Sequence, residues 1–150
     1  MAFRTNGMGI YSSTKKIGGE QLKVMESCQL TALIVDDDTM IRMIHRKMLN
    51  KVGVKNEAVK NGKEAVEIHR SGQRFDLVLM DWDMPVMNGI EATKTLRSMG
   101  INSVIVGVST HSTRAHIQEF MEAGVDDYLE KPLTSDKLTS IIHMINEQNT

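Results

Sequence analysis

Carboxylates, a hydroxyl and a lysine stand in this sequence at the ends of short apolar runs, and that placement gives them chemical potential. Asp36-Asp37-Asp38 follows Leu30 to Val35, Asp81 follows Leu77 to Met80, Ser109-Thr110 follows Ser103 to Val108, and Lys131 comes just after Val125 to Leu129. Each run reads as a buried parallel strand. In an open parallel sheet, ligands gather at the C-terminal strand ends, so these groups are expected to converge on one pocket. Three carboxylates so placed repel one another, and without a cation one of them takes up a proton near neutral pH. An all-oxygen ligand set suits Mg²⁺, with Mn²⁺ as an alternative, and Mg²⁺ keeps several waters and leaves room for a phosphoryl oxygen. Lys131 adds a compact positive charge. Such a site is equipped to place and neutralise a transferring phosphoryl group, with Asp81 as the nucleophile that becomes an acyl phosphate. Taken alone, Asp81 is better read as a cap for the next helix. Its partners decide otherwise.

The elements that would hold these groups follow from periodicity. Met40, Ile41, Ile44, Met48 and Val52 recur at spacings of three and four and predict an amphipathic helix ended by Gly53. Val54 to Val59 is a weaker, alternating strand, and Asn61-Gly62-Lys63-Glu64 opens a helix to Ser71 in capping-box fashion. After Asp81, Pro85 and Asn88-Gly89 are turn chemistry, and Asn88 to Glu91 starts a helix ending near Gly100. A fourth helix places Ile117, Phe120 and Met121 inward before Gly124, and Leu138, Ile141, Ile142 and Ile145 mark a fifth. The class is therefore α/β: five strands alternating with five helices over residues 30 to 148, a doubly wound parallel sheet covered on both faces.

Composition bounds the rest. At 150 residues, 41% apolar and 25% charged, the chain suits one globular domain with a sizeable core. A net charge of -1 with interspersed signs gives no footprint for nucleic acid or an anionic membrane. The single Cys28 excludes an internal disulfide and fits a reducing compartment, and no run approaches the roughly 20 residues of a membrane span. A cytosolic, or also nuclear, protein is expected. Residues 1 to 29 read as a flexible tail with a loose turn of helix at Gln21 to Met25, and residues 30 to 150 as the domain. His45, His69, His116 and His143 share no ligand spacing and are expected to be solvent-exposed helix residues, Asp38 to cap the first helix, and Asp126 and Asp127 to be solvated.

The ordered set Val35-Asp36-Asp37, Met80-Asp81-Trp82-Asp83-Met84-Pro85-Val86-Met87-Asn88-Gly89, Ser109-Thr110 and Tyr128-Leu129-Glu130-Lys131-Pro132 resembles the receiver domain of two-component response regulators. The resemblance covers nearly all of residues 30 to 150. It implies a flavodoxin-like sheet in the order 2-1-3-4-5. It further implies Asp81 as phospho-acceptor, Asp36, Asp37, Asp81 and the backbone carbonyl of Asp83 around Mg²⁺, and Lys131 as phosphate-binding lysine. Ser109 matches the switch hydroxyl, 22 residues before Lys131, and Tyr128 the aromatic whose rotamer reports the state. The implied donor is a phosphohistidine on a histidine kinase or a histidine phosphotransfer protein, and the receiver itself catalyses both the transfer and its own hydrolysis. The chain is expected to act as a monomer or weak dimer. Because the sequence ends soon after the fifth helix, the layout is also similar to plant response regulators without an output domain.

Two positions depart from the family pattern: Ser109 replaces the commoner threonine, and Thr110 stands where the family usually has a small residue. Ser109 lacks the methyl of the commoner threonine, which loosens its rotamer. Asp83 and His111 lie where the family tunes acyl-phosphate lifetime, and a carboxylate and an imidazole there can orient attacking water. Two competing functions stand beside this one. Asp81-Trp82-Asp83 also fits the D-x-D of haloacid-dehalogenase-type phosphatases, although Pro85 follows and the acidic pair comes earlier. A pseudo-receiver that only binds partners is the other, and intact Asp36, Asp37, Asp81 and Lys131 speak against it.

Overall fold

The computed structural model describes residues 11–17, 20–26, 29–111 and 113–148. The chain opens with β1 (Tyr11–Ile17) and β2 (Glu20–Glu26), an antiparallel pair with Tyr11 opposite Glu26. The turn of helix expected at Gln21 to Met25 is strand instead: Leu22 and Val24 alternate with Gln21 and Lys23, a period of two. The sequence signal was the Gly18-Gly19 pair between two short runs, a hairpin dipeptide. The first ten residues of the expected tail lie outside the described residues.

From Thr31 onward strands and helices alternate: β3 (Thr31–Val35), α1 (Thr39–Lys51), β4 (Lys55–Val59), α2 (Gly62–Arg70), β5 (Leu77–Asp81), α3 (Gly89–Ser98), β6 (Val104–Ser109), α4 (Arg114–Ala123), β7 (Asp127–Glu130) and α5 (Ser135–Gln148). The sheet runs β4-β3-β5-β6-β7 with every pair parallel. Counted from β3, that is the order 2-1-3-4-5.

Strand alternation splits the core in two. Leu33, Val35, Val78, Met80 and Ile105 pack with Ala65, Val66, Ile90, Leu96 and Phe120 from α2, α3 and α4. Ala32, Ile34, Leu77, Leu79, Val104, Val106 and Val108 pack with Leu49 of α1 and Leu138, Ile141, Ile142 and Ile145 of α5. Gly107 falls on the first face, where a Cβ would come within 2.9 Å of the Phe120 ring, so the missing side chain is what seats that ring. Caps fix the helix starts. Asp38 accepts from the N–H groups of Met40 (2.8 Å) and Ile41 (3.2 Å), Asn61 from Glu64 (2.9 Å), and Asn88 from Glu91 (3.0 Å).

The structure corrects four sequence-based expectations of burial. The inward face of α1 carries His45 and Leu49, while Met40, Met43 and Ile44 are exposed. Six apolar residues on this helix define two candidate stripes, and the one containing Leu49 meets the sheet. His45 and His69 are buried, and burial holds both imidazoles below their ordinary pKa. His69 is seated by a 2.7 Å contact from Nδ1 to the Ala65 carbonyl and an edge contact with Phe75. Met121 of α4 turns outward. Asp126 is not simply solvated: one carboxylate oxygen accepts from the Ile105 N–H and from Arg97, both at 2.9 Å, and Arg97 also donates to the carbonyls of Gly124, Ile101 and Ser103. That single guanidinium staples α3 to the turns flanking β6 and β7.

Candidate functional site

Register alone brings the strand ends level. Val35 pairs with Met80, Asp81 with Val108, and Ser109 with Glu130, so Asp36, Asp81, Ser109 and the residue after Glu130 line one edge of the sheet. Asp36 continues the parity of Ala32 and Ile34, and Asp81 that of Leu77 and Leu79, so both carboxylates leave the sheet on the same face.

Lys131 joins them. Its Nζ lies 2.9 Å from Oδ2 of Asp36 and 3.0 Å from Oδ1 of Asp81. The Lys131 backbone N–H donates to the Ser109 carbonyl at 2.8 Å, and the Lys131-Pro132 peptide is cis. Asp36, 2% exposed, is held further by the Asp38 N–H on its Oδ1 (2.9 Å), and its carbonyl accepts from Nη1 of Arg42 (2.7 Å). Arg42 is a positioning group that the sequence did not single out. Its signal was a basic residue about one turn into the helix that follows the acidic run.

Burial shapes the electrostatics. Asp81 is 6% exposed, and burial first, then the charge of Asp36, pushes its carboxyl up to about 6 against the pull of Lys131. For Lys131, burial works against the ammonium, but its bonds to Asp36 and Asp81 outweigh it and hold the pKa above the ordinary lysine value. The lysine is charged, and the Asp81 carboxylate sits where a modest added positive charge will keep it ionised.

Asp36, Asp37 and Asp81 each offer an oxygen, and these oxygens lie within 4.8 Å of one another. Two of the three residues are buried and Asp37 is open to solvent, a hard-oxygen set with room for water that fits a magnesium-like cation. The group of Asp83 expected with this set is its backbone carbonyl, and its carboxylate lies elsewhere. That side chain is 85% exposed and its Oδ2 faces Nε2 of His111 at 4.0 Å. Ser109 is buried at the end of β6, and its Oγ accepts from the His111 N–H at 3.1 Å. The Tyr128 hydroxyl donates to the His111 carbonyl and reaches the Ser109 carbonyl at 3.5 Å.

The loop after Asp81 is tight. Gly89 opens α3 so close beneath the strand end that a Cβ there would lie 2.1 Å from the Asp81 carbonyl oxygen. Val86 takes a left-handed φ of 72°, uncommon for a β-branched residue, with its side chain 74% exposed. Trp82 is half-buried, edge-on to both Phe120 (5.1 Å between centroids) and His116 (4.9 Å).

The family description "Response regulator receiver domain" matches residues 32–143. This chain belongs to that receiver family. The receiver is 54% identical over 127 residues to "Two-component response regulator 24" of Arabidopsis thaliana, covering 85% of this chain and 91% of that one. It is 42% identical to "Two-component response regulator ARR22" of the same plant, covering 87% and 95% respectively. Among solved structures it is similar to the receiver domain of a sensor histidine kinase from Pseudomonas aeruginosa, described with a magnesium ion coordinated in its active site cleft. That likeness has a TM-score of 0.71 and 26% identity, over 80% of this chain and 99% of that one. Among the described residues no helix of the receiver is long and apolar enough to cross a membrane.

Proposed function

We propose that this receiver, residues 30–150, accepts a phosphoryl group on Asp81 from a phosphohistidine of a histidine phosphotransfer protein or histidine kinase. The observation that carries the reading is the Lys131 ammonium seated between Asp36 and Asp81, 2.9 and 3.0 Å away, beside a solvent-open third carboxylate. An oxygen of Asp81 bonds to phosphorus while the P–N bond to the donor imidazole breaks, and the electron pair stays on that nitrogen. Lys131 faces the charge that builds on the phosphoryl oxygens, and the buried walls of the site keep that interaction strong. When bound at Asp36, Asp37 and Asp81, with the Asp83 backbone carbonyl as a further ligand, Mg²⁺ supplies additional positive charge there.

Ser109 is the hydroxyl that meets the new phosphoryl oxygen. It already accepts the His111 N–H, and Tyr128 holds the carbonyl of the same residue, so displacement of Ser109 is transmitted to the β6–α4 loop. Asp83 and His111 orient the water that later hydrolyses the acyl phosphate. The turn of the Asp83 side chain toward His111 favours this role over the acid/base role of a D-x-D phosphatase.

Incubation with a ³²P-labelled histidine phosphotransfer protein and magnesium tests the proposal. Label is expected on the native chain and not on Asp81→Asn. Uptake by both proteins, or by neither, would remove Asp81 as acceptor. Label that stays on the chain marks a relay, and label released quickly as inorganic phosphate marks a drain.

A further inference from the structure

A ladder of rings leaves the strand end at Trp82 and returns to the same loop at Asp83. Trp82 meets His116 edge-on at 4.9 Å, His116 stacks on His111 at 5.0 Å with 16° between planes, and Nε2 of His111 faces the Asp83 carboxylate at 4.0 Å. His116 is therefore the rung between two consecutive residues of the acceptor loop. Its own ring is fixed twice over. Nδ1 is bonded to the Thr113 hydroxyl, and Trp82 in turn rests on the buried ring of Phe120.

His111 needs such a support. Its side chain is 47% exposed, on a loop, and among the described residues its ring has no hydrogen bond or ion pair other than the long approach to Asp83, which restricts its rotamer little. Its backbone, by contrast, is tied at both ends, the N–H to Ser109 Oγ and the carbonyl to the Tyr128 hydroxyl. A fixed backbone with an unsupported imidazole would sweep the ring through several positions. Stacking on His116 selects the one that faces Asp83.

We propose that His116 is a positioning residue: by clamping the His111 imidazole against Asp83, it sets the rate at which the acyl phosphate on Asp81 hydrolyses. The inference rests on the reading of Asp81 as acceptor and of Asp83 and His111 as water-orienting groups. In the step concerned, the water oxygen bonds to phosphorus and the bond from phosphorus to the Asp81 oxygen breaks. The electron pair remains on the carboxylate, and the water protons pass to the released phosphate and to solvent. An ordered imidazole–carboxylate pair holds that water along the line of attack, and a swinging imidazole does so only part of the time.

The test follows decay of label from the full-length chain after loading by a ³²P-labelled phosphotransfer protein, for native, His116→Ala, His116→Gln, His116→Phe and His111→Ala. Both His116→Ala and His116→Gln are expected to lengthen the half-life about threefold or more, as His111→Ala does. The His111→Ala/His116→Ala double variant should add little, because both act through one ring. His116→Phe, which keeps a ring to stack on, is expected within about twofold of native, and initial uptake should be unchanged in the single His116 variants. A native or shortened half-life in His116→Ala and His116→Gln, with His111→Ala long-lived, would overturn the clamp and leave the water-orienting pair standing. Equal slowing of uptake and decay in the Ala, Gln and Phe variants would also overturn it, as a merely structural role. A native half-life in His111→Ala would remove the pair itself and the clamp with it, and failure of the native chain to load would remove the acceptor.

Discussion

The ammonium of Lys131 lies 3.0 Å from Oδ1 of Asp81, across fifty positions of sequence and the width of two strands. Asp36 shares the same ammonium at 2.9 Å, so one cation neutralises two carboxylates that are 2% and 6% exposed. Lys131→Met leaves both without a counter-charge. The expected cost is about 3 kcal/mol of folding stability in EDTA, smaller in magnesium, with phosphoryl uptake down about 100-fold. Urea denaturation and label transfer measure the two. A variant with native uptake would refute the role given to the lysine.

The carboxyl of Asp81 titrates near 6 in the fold, raised first by burial and then by Asp36, against an ordinary value of 3.8. The folded chain thus holds this proton more tightly than the unfolded chain does. The ionised form subtracts stability above pH 6, and the penalty is relieved as the pH falls from 6 towards 4. A shift of about two units corresponds to at most about 3 kcal/mol. Asp81→Asn should therefore melt several degrees higher than the native chain in EDTA at pH 7.5, with the gap closing by pH 4.5. Thermal denaturation at the two pH values decides. A gap that is constant with pH would show that the charge of Asp81 is not its source.

The site was legible because a parallel strand delivers its last residue to one known edge. Asp36, Asp37, Asp81, Ser109 and Lys131 each follow an apolar run, and register does the rest. What depends on rotation about a helix axis was not legible. Met40, Ile44 and Met48 form as regular a stripe as His45 and Leu49, yet the sheet face takes up only the Met48 end of it. Side chains that leave the strand ends were equally hidden. Asp83 lies beyond the strand, where alternation no longer sets direction, and only the structure shows that its carboxylate faces His111. His116 looked like a surface histidine, since ring contacts between a loop and a helix have no signature in spacing.

Two neighbours in the acceptor loop should respond in opposite ways to substitution. At Gly89 any side chain meets the Asp81 carbonyl oxygen at 2.1 Å, and backbone cannot step aside cheaply. Gly89→Ala is expected to cost about 2 to 4 kcal/mol and to impair phosphoryl uptake, because the strand end and the start of α3 must separate. At Val86 the strain lies in the backbone, φ 72°, and the side chain is 74% exposed. Val86→Asn, which tolerates the left-handed region, is expected to gain about 1 kcal/mol with uptake unchanged. Denaturant midpoints for the pair provide the comparison, and a destabilised Val86→Asn would mean that its side chain packs on something.

Trp82 is the single tryptophan of the chain, next to the proposed acceptor and in contact with His116 and Phe120, so its fluorescence reports on the acceptor loop. Magnesium is expected to change the emission by altering the field of the three carboxylates, and Asp37→Ala should lose that response. Beryllofluoride, which mimics a phosphoryl group on a carboxylate, should then give a second change in the native chain and none in Asp81→Asn. The second change should also be altered in His116→Ala, where Trp82 has lost one of its two ring neighbours. Retention of the full beryllofluoride response by Asp81→Asn would show that the indole senses an anion bound elsewhere, and the assignment of the acceptor would have to move.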